Sequence, residues 1–162
     1  MVTRVVQELA LVGVRVELPN NQPIVLLKEV EGDRYLPVWI GAVEATAIAF
    51  AQQGIEPARP MTHDLLKDAL EATGAQLTSI RITELRDGIY YALLVFASGV
   101  EVSARPSDAV ALAVRVGVPM YAAEQVLEEA GIAVEEEEQE EEVEKFREFL
   151  DTITPEDFQT GS

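Results

Sequence analysis

Two segments of this 162-residue chain have helical length and are apolar on nearly every side. The first runs from Gly41 to about Gln53, and the second runs from Pro106 to about Val116. Because a helix without a polar face must be covered by protein, both are predicted to be buried. Each follows directly on a segment with a strand pattern. Two strand-to-helix junctions in one domain tend to lie at the same edge of the sheet, where functional sites are commonly built.

The remaining pattern predicts strands in two groups. Alternating apolar residues indicate strands at 5–18, 24–29, 35–40, 76–84, 89–97 and 100–104, with a short one at Met120-Tyr121. Turn residues join them, above all Asp87-Gly88, which is a strong hairpin signal. Further helices are predicted at about 62–73 and 124–130, each closed by a glycine. The fold class is therefore α+β: antiparallel-rich meanders with two buried helices and peripheral helices, in a single domain over residues 1–132.

Residues 133–162 differ from this domain in composition. Of the net charge of −17, the chain from Glu124 onward carries −13 and residues 1–123 carry only −4. Seven glutamates among residues 135–142 predict a solvated linker. After it, residues 143–153 show the amphipathic spacing of a short helix, expected to dock on its own body, a second subunit or another protein. The domain has no basic stripe, which counts against tight, sequence-blind binding of nucleic acid.

Residue usage excludes several kinds of site. With no cysteine and one histidine, the chain cannot form disulfides, a thiolate nucleophile, a cysteine zinc site or a multi-histidine metal site. No apolar run approaches 18 residues, so no membrane span is predicted. The N-terminus lacks the pattern of a signal peptide, and the default expectation is a cytoplasmic protein.

Candidate site residues lie in two similar stretches, Arg59-Pro60-Met61-Thr62-His63-Asp64-Leu65 and Arg105-Pro106-Ser107-Asp108-Ala109. Each is first of all a helix start, with proline in the first turn, Thr62 or Ser107 able to cap amides, and an acid favoured by the helix dipole. An arginine just outside each helix and the single histidine go beyond that. Arginine, carboxylate and imidazole at helix N-termini are what a phosphate-handling site would use. His63 is expected at the exposed start of its helix.

Glu44 is a further candidate because it lies in the first turn of a helix predicted to be buried. An unpaired buried carboxylate costs several kcal/mol or becomes protonated, so a partner is expected. Arg59 and Arg105 are the candidates. The alternative is that Glu44 faces water at the N-terminal end of its helix, where the dipole favours it.

Three motifs together resemble the bifunctional nuclease (BFN) domain family. They are Leu36-Pro37-Val38-Trp39-Ile40-Gly41 followed by Glu44-Ala45, the stretch Arg59–Leu65, and the stretch from Arg105 to Ala113. The match spans roughly residues 5–132. The acidic segment with its Pro-Glu-Asp-Phe ending resembles the tail of actinobacterial members. The resemblance implies an α/β domain, usually a homo-oligomer, with DNase and RNase activity attributed to some plant members.

Two functions fit these residues. As a nuclease acting on DNA or RNA, the chain would use Glu44, Asp64 and Asp108 to hold Mg²⁺ or Mn²⁺, since hard cations prefer oxygen ligands. His63 would be the general base or acid, and Arg59 and Arg105, with Thr62 and Ser107, would bind the phosphate. No organic cofactor is expected. As a non-catalytic homo-oligomeric module, a dimer or larger, the chain would use Arg59–Glu44 and Arg105–Asp108 as structural ion pairs. Its acidic tail would then contact a protein partner.

Overall fold

The computed structural model describes residues 5–17 and 19–133, and its strands form one eight-stranded sheet. The strands are β1 Val6–Glu17, β2 Gln22–Glu29, β3 Arg34–Trp39, β4 Leu77–Arg86, β5 Ile89–Phe96, β6 Glu101–Ala104, β7 Met120–Ala123 and β8 Ile132–Ala133. The helices are α1 Ala42–Gln53, α2 Thr62–Ala72, α3 Pro106–Val116 and α4 Glu124–Ala130.

The sheet consists of two antiparallel meanders joined through a short central strand. Its order is β6-β5-β4-β7-β1-β2-β3-β8, and only the β4–β7 pair is parallel. The β4–β5 turn places Asp87 and Gly88 at φ values of 54° and 77°, the left-handed conformation that this kind of hairpin turn requires. The predicted α+β class with antiparallel meanders is confirmed. Leu18 and residues 134–162 of the predicted tail lie outside the described residues, whereas Ala133, the first residue of that tail, lies in β8.

The two apolar helices are buried, as predicted. Residues 45–50 of α1 are all buried, and in α3 only Asp108 interrupts a buried run from Pro106 to Ala113. Each helix ends at a glycine with positive φ, Gly54 after α1 and Gly117 after α3. Because α1 and α3 pack against each other, the ends of β3 and β6 that precede them come to the same region of the molecule.

Helix α2 differs from the sequence prediction. It forms over the expected residues, but none of them is buried, and Leu65 on its apolar face is 60% exposed. The capping prediction is also wrong, because Thr62 and Ser107 lie inside the helices and the N-cap residues are Met61 and Arg105. At α2 it is Asp64 whose Oδ2 accepts a hydrogen bond from the Met61 amide, at 3.0 Å. Polar contacts, together with the partly buried Leu70, therefore attach this helix to the domain.

A buried ion pair outside the candidate site joins the first meander to α4. Arg34 donates to Glu29 Oε1 at 2.6 Å and also forms an ion pair with Glu124, in the first turn of α4. The hydrogen bond from Arg34 lowers the pKa of Glu29, more than offsetting the burial of this carboxyl. A Cβ at Gly32 would lie only 2.7 Å from the Glu29 carboxyl, so the turn leaves room for this pair.

Among the described helices, none is both long enough and apolar enough to cross a membrane.

Candidate functional site

The candidate site is centred on the Asp108 carboxylate in the first turn of α3. Its Oδ1 lies 2.9 Å from Nε2 of His63, in the first turn of α2. Its Oδ2 accepts a hydrogen bond from Arg105 Nε, also at 2.9 Å. One carboxylate thus joins residues from both Arg-Pro stretches, and the two residues in contact, His63 and Asp108, are 45 positions apart in the chain. Both Arg-Pro stretches therefore contribute to one cluster.

Arg105 also reaches the first turn of α1. Its Nη1 lies 3.1 Å from Glu44 Oε1, so one guanidinium bridges two carboxylates on two helices. Of the two partners expected for Glu44, Arg105 is the one found. A Cβ at Gly41 would collide with the Glu44 carboxylate, so glycine at the N-cap of α1 lets this side chain fold back over the helix end.

His63 is more enclosed than the sequence predicts. Its side chain is only 12% exposed, because it lies against Asp108 and not at the free surface of α2. With Nε2 engaged by Asp108, the other ring nitrogen, Nδ1, has no hydrogen-bond partner among the described residues. If Nε2 carries the proton, Nδ1 has a free lone pair, which is the arrangement of a general base oriented by a carboxylate.

The electrostatics keep Asp108 ionised. Burial alone would raise its pKa, but hydrogen bonds from Arg105 and His63 outweigh burial and hold the pKa of Asp108 below its ordinary value. The same bond to Asp108 raises the pKa of Arg105. With a neutral imidazole, the two carboxylates and one guanidinium of this cluster carry a net charge of −1. An incoming phosphate therefore has to draw Arg105 away from its carboxylates or meet a protonated His63.

Two cavities lie on either side of the Arg105 bridge, and both are lined by Glu44 and Arg105. The first, of about 500 Å³, contains His63 and Asp108 together with apolar side chains. The apolar residues include Val43, Met61, Leu66, Leu94 and Val102. The second, of about 440 Å³, lies beyond the bridge and is lined by Trp39, Tyr90 and Ser107 among others. The bridge thus forms a shared wall between the two spaces.

Asp64 does not join this cluster. Its Oδ1 accepts a hydrogen bond from Arg115 Nε at 2.7 Å, and it lines a third cavity with Lys67 and Asp68. Burial alone would raise the pKa of Asp64, but the hydrogen bonds from Arg115 and the Met61 amide lower it by more, so the pKa of Asp64 lies below its ordinary value. Asp64 is therefore a structural anchor of α2 on α3.

The predicted metal ligands are consequently not assembled. Asp64 is engaged by Arg115, while Glu44 and Asp108 hold Arg105 between them. Among residues 5–17 and 19–133 there is no group of three histidine, aspartate or glutamate side chains that could hold a metal ion. Glu44, Asp64 and Asp108 therefore do not fit a shared site for Mg²⁺ or Mn²⁺. Whether activity depends on either ion stays a prediction for a solution assay.

The other predicted ligands lie in different places. Thr62 lines the first cavity and Ser107 lines the second. Arg59 is exposed and has no ion pair with any described residue, so the predicted Arg59–Glu44 pair is wrong, whereas the predicted Arg105–Asp108 pair is confirmed. The roles of these residues in binding or catalysis stay predictions.

Sequence reasoning missed Arg115 and the aromatic wall of the second cavity. Arg115 had a usable signal, because it is the one charged residue in the last turn of a helix that is otherwise apolar there. Its side chain is only 7% exposed, so it needs a carboxylate partner. Trp39 had no such sequence signal, since alternation along a strand does not reveal which outward side chain borders a cavity.

Comparison with known proteins adds the following similarities. The model of the bifunctional nuclease domain family matches residues 25–135. A Mycobacterium tuberculosis protein described as uncharacterized is 54% identical over 159 residues, covering 93% of this chain and 97% of its own. Bifunctional nuclease 2 of Arabidopsis thaliana is 30% identical over 112 residues, 64% of this chain. Bifunctional nuclease 1 of Oryza sativa subsp. indica is 27% identical over 120 residues, 70% of this chain. The chain spans only 34% and 36% of these two plant proteins.

Proposed function

Because the chain belongs to the bifunctional nuclease domain family, we propose that it hydrolyses phosphodiester bonds of DNA or RNA in the cavity where His63 meets Asp108. The family match bears out the resemblance drawn from the three sequence motifs. The observation that carries the proposal is the 2.9 Å contact between His63 Nε2 and Asp108 Oδ1, which leaves Nδ1 without a partner among the described residues. The plant relatives named as nucleases support the same activity.

In the proposed reaction, His63 transfers the proton. Asp108 accepts the Nε2–H and so holds the ring in the tautomer whose Nδ1 can take a proton. Nδ1 removes a proton from the attacking oxygen, either water or the 2′-hydroxyl of RNA, as that oxygen forms its bond to phosphorus. The bond from phosphorus to the leaving oxygen breaks on the opposite side, that oxygen takes a proton from water, and the imidazolium returns its proton to water. General acid–base catalysis of this kind contributes about 10²- to 10⁴-fold in rate.

Arg105 supplies the positive charge for the phosphate. It sits beside Asp108 and borders the same cavity, so a phosphate oxygen entering there competes with Glu44 and Asp108 for its N–H groups. Arg59 is exposed and unpaired among the described residues, and it lies four positions before His63 in the chain. It is proposed to contact the phosphate backbone outside the cavity.

A second candidate function is favoured by the fact that Arg105 is already paired with two carboxylates. Both of the carboxylates nearest to it are already bound, and the cluster carries a net negative charge, which suits a brace between helices better than a polyanion site. In this case the chain is a non-catalytic binding module. Assembly into a homo-oligomer and a protein partner for the acidic tail belong to this alternative and stay predictions.

A cleavage assay separates the two functions. Labelled single- and double-stranded DNA and RNA are incubated with the pure protein in Mg²⁺, in Mn²⁺ and in EDTA. Asp108→Asn is compared with Asp68→Asn, an exposed aspartate on α2 that makes no ion pair with a described residue. The nuclease proposal predicts cleavage that survives Asp68→Asn and falls at least about 100-fold in folded Asp108→Asn. No cleavage under any condition, or equal cleavage by both variants, contradicts it.

A further inference from the structure

The second cavity lies where the N-termini of α1 and α3 meet. It is bordered by Gly41 and Glu44 at the start of α1 and by Arg105, Pro106 and Ser107 at the start of α3. Within the described part of the chain, neither helix has a side-chain hydrogen bond at its N-cap. First-turn N–H groups and the helix dipole give each of these ends a partial positive charge. Two such ends border this space, and the first-turn acids Glu44 and Asp108 offset part of their positive charge.

Ser107 provides an independent sign that a ligand belongs in this cavity. The residue is only 6% exposed, yet its hydroxyl has no hydrogen-bond partner among the described residues. The hydroxyl oxygen is not sealed from solvent, because the one fully buried side-chain nitrogen or oxygen without a partner among the described residues is Nε of Arg81. It can therefore donate to an acceptor that enters the cavity. A phosphate oxygen is an acceptor that also matches the two helix ends.

Part of the lining of this cavity is aromatic. Trp39 is 56% exposed although it is the largest apolar residue of the chain, and it is also the only tryptophan. Tyr90 lies on the same wall, and its hydroxyl donates a hydrogen bond to the Pro37 carbonyl at 3.3 Å, which fixes the ring next to β3. Exposed aromatic rings beside a phosphate site are the arrangement on which nucleic-acid bases stack.

We propose that this cavity binds the nucleotide adjacent to the one cleaved, with its phosphate at Ser107 and its base stacked on Trp39. The inference rests on the proposed function, because Arg105 separates this cavity from the one that holds His63. A base that stacks on Trp39 has to leave its own helix, so the preferred substrate is single-stranded. Glu44 also borders the cavity, and its pairing with Arg105 keeps its negative charge from facing the phosphate alone.

The fluorescence of Trp39 reports on this binding directly. Full-length His63→Gln, which lacks the proposed base, is titrated with a ten-residue oligothymidylate and with the same strand in a duplex. The single strand is expected to quench the emission to saturation, and the duplex is not. Ser107→Ala is expected to weaken binding about tenfold, the usual loss for one hydrogen bond to a charged group. The control Ser79→Ala, on β4 away from all three cavities, is expected to bind like the parent.

Several results would overturn the subsite. They are equal quenching by the duplex, no quenching by the single strand, or equal affinity of Ser107→Ala and Ser79→Ala. Shielding of Trp39 from acrylamide in the free protein would also overturn it, because another copy of the chain would then cover this face. The binding readout is separate from cleavage. If the wild type cleaves but its Trp39 emission is not quenched, the proposed subsite is contradicted and the nuclease activity is retained. If quenching is saturable but the protein never cleaves, the nuclease activity is contradicted and the cavity is a binding site for single strands.

Discussion

Replacing Asp64 with asparagine tests the contact that positions His63 without altering the groups proposed to react. Helix α2 has no fully buried residue, and Leu70 is its one partly buried apolar side chain packed against the core, so its place on α3 depends largely on polar contacts. The bond between Asp64 and Arg115 is the shortest of these, at 2.7 Å, and His63 is the next residue to Asp64 in the chain. Weakening this bond is therefore expected to loosen the His63–Asp108 contact as well.

The size of the effect follows from the burial of the two partners. The Arg115 side chain is 7% exposed, and its remaining hydrogen bond goes to the Ala111 carbonyl at 3.0 Å. Leaving a buried charge without its partner costs about 3–5 kcal/mol. Because Asp64 is 27% exposed and water can partly replace it, we expect about 2 kcal/mol of lost stability. For a chain of this length that is a fall in Tm of about 4–8 °C.

Thermal unfolding followed by circular dichroism measures this change. Asp68→Asn on the same helix is the matched control and is expected to unfold within about 0.5 kcal/mol of the wild type. The double variant Asp64→Leu with Arg115→Met removes both charges and is expected to recover part of the stability lost in Asp64→Asn. Equal midpoints for Asp64→Asn and Asp68→Asn would refute the reasoning, because the buried arginine would then not need its carboxylate.

Three further predictions concern charge and close packing. Folding lowers the pKa values of Asp64 and Asp108. The stability that these carboxylates contribute is therefore present above the ordinary pKa of 3.8 and is lost as the pH falls through the lower folded values. Acid unfolding of Asp64→Asn, followed by circular dichroism, should accordingly depend less steeply on pH below about 4 than that of the wild type. Glu44→Gln removes a negative charge beside Arg105. Fluorescence anisotropy with labelled oligothymidylate should therefore show an affinity a few-fold higher than that of the wild type, about 0.5–1 kcal/mol. A lower affinity would mean that Glu44 is needed to hold Arg105 in place. A Cβ at Gly131 would collide with the backbone carbonyl of Leu127, so Gly131→Ala should lower the stability measured in urea by about 1–3 kcal/mol, and an unchanged midpoint would show that the end of α4 can shift at no cost.

Much of the fold could be predicted because local signals agreed with one another. The periodic apolar pattern of α1 and α3 continued up to a glycine in each case, and Gly54 and Gly117 adopt the positive φ that ends a helix. The Asp87-Gly88 turn fixed the β4–β5 hairpin in the same way. The place of β7 could not be predicted, because a four-residue strand that joins two meanders has no local signal for its partners.

The candidate site was predicted only in part, and helix geometry explains the division. Consecutive residues on an α-helix point about 100° apart, so His63 and Asp64 face different neighbours although they are adjacent in sequence. His63 reaches the first turn of α3, and Asp64 reaches Arg115 in its last turn. A sequence motif shows that both residues stand at a helix start. It does not show which of them turns toward the cavity.

The cleavage rate of His63→Gln tests the central claim most directly. The amide nitrogen of glutamine can replace Nε2 as the donor to Asp108, so the contact that orients α2 is retained while the proton-accepting Nδ1 is lost. The variant should unfold at the same temperature as the wild type within a few degrees and cleave single-stranded oligonucleotides at least about 100-fold more slowly. Cleavage at the wild-type rate by the folded variant would contradict the account, because the chemistry would then not pass through His63.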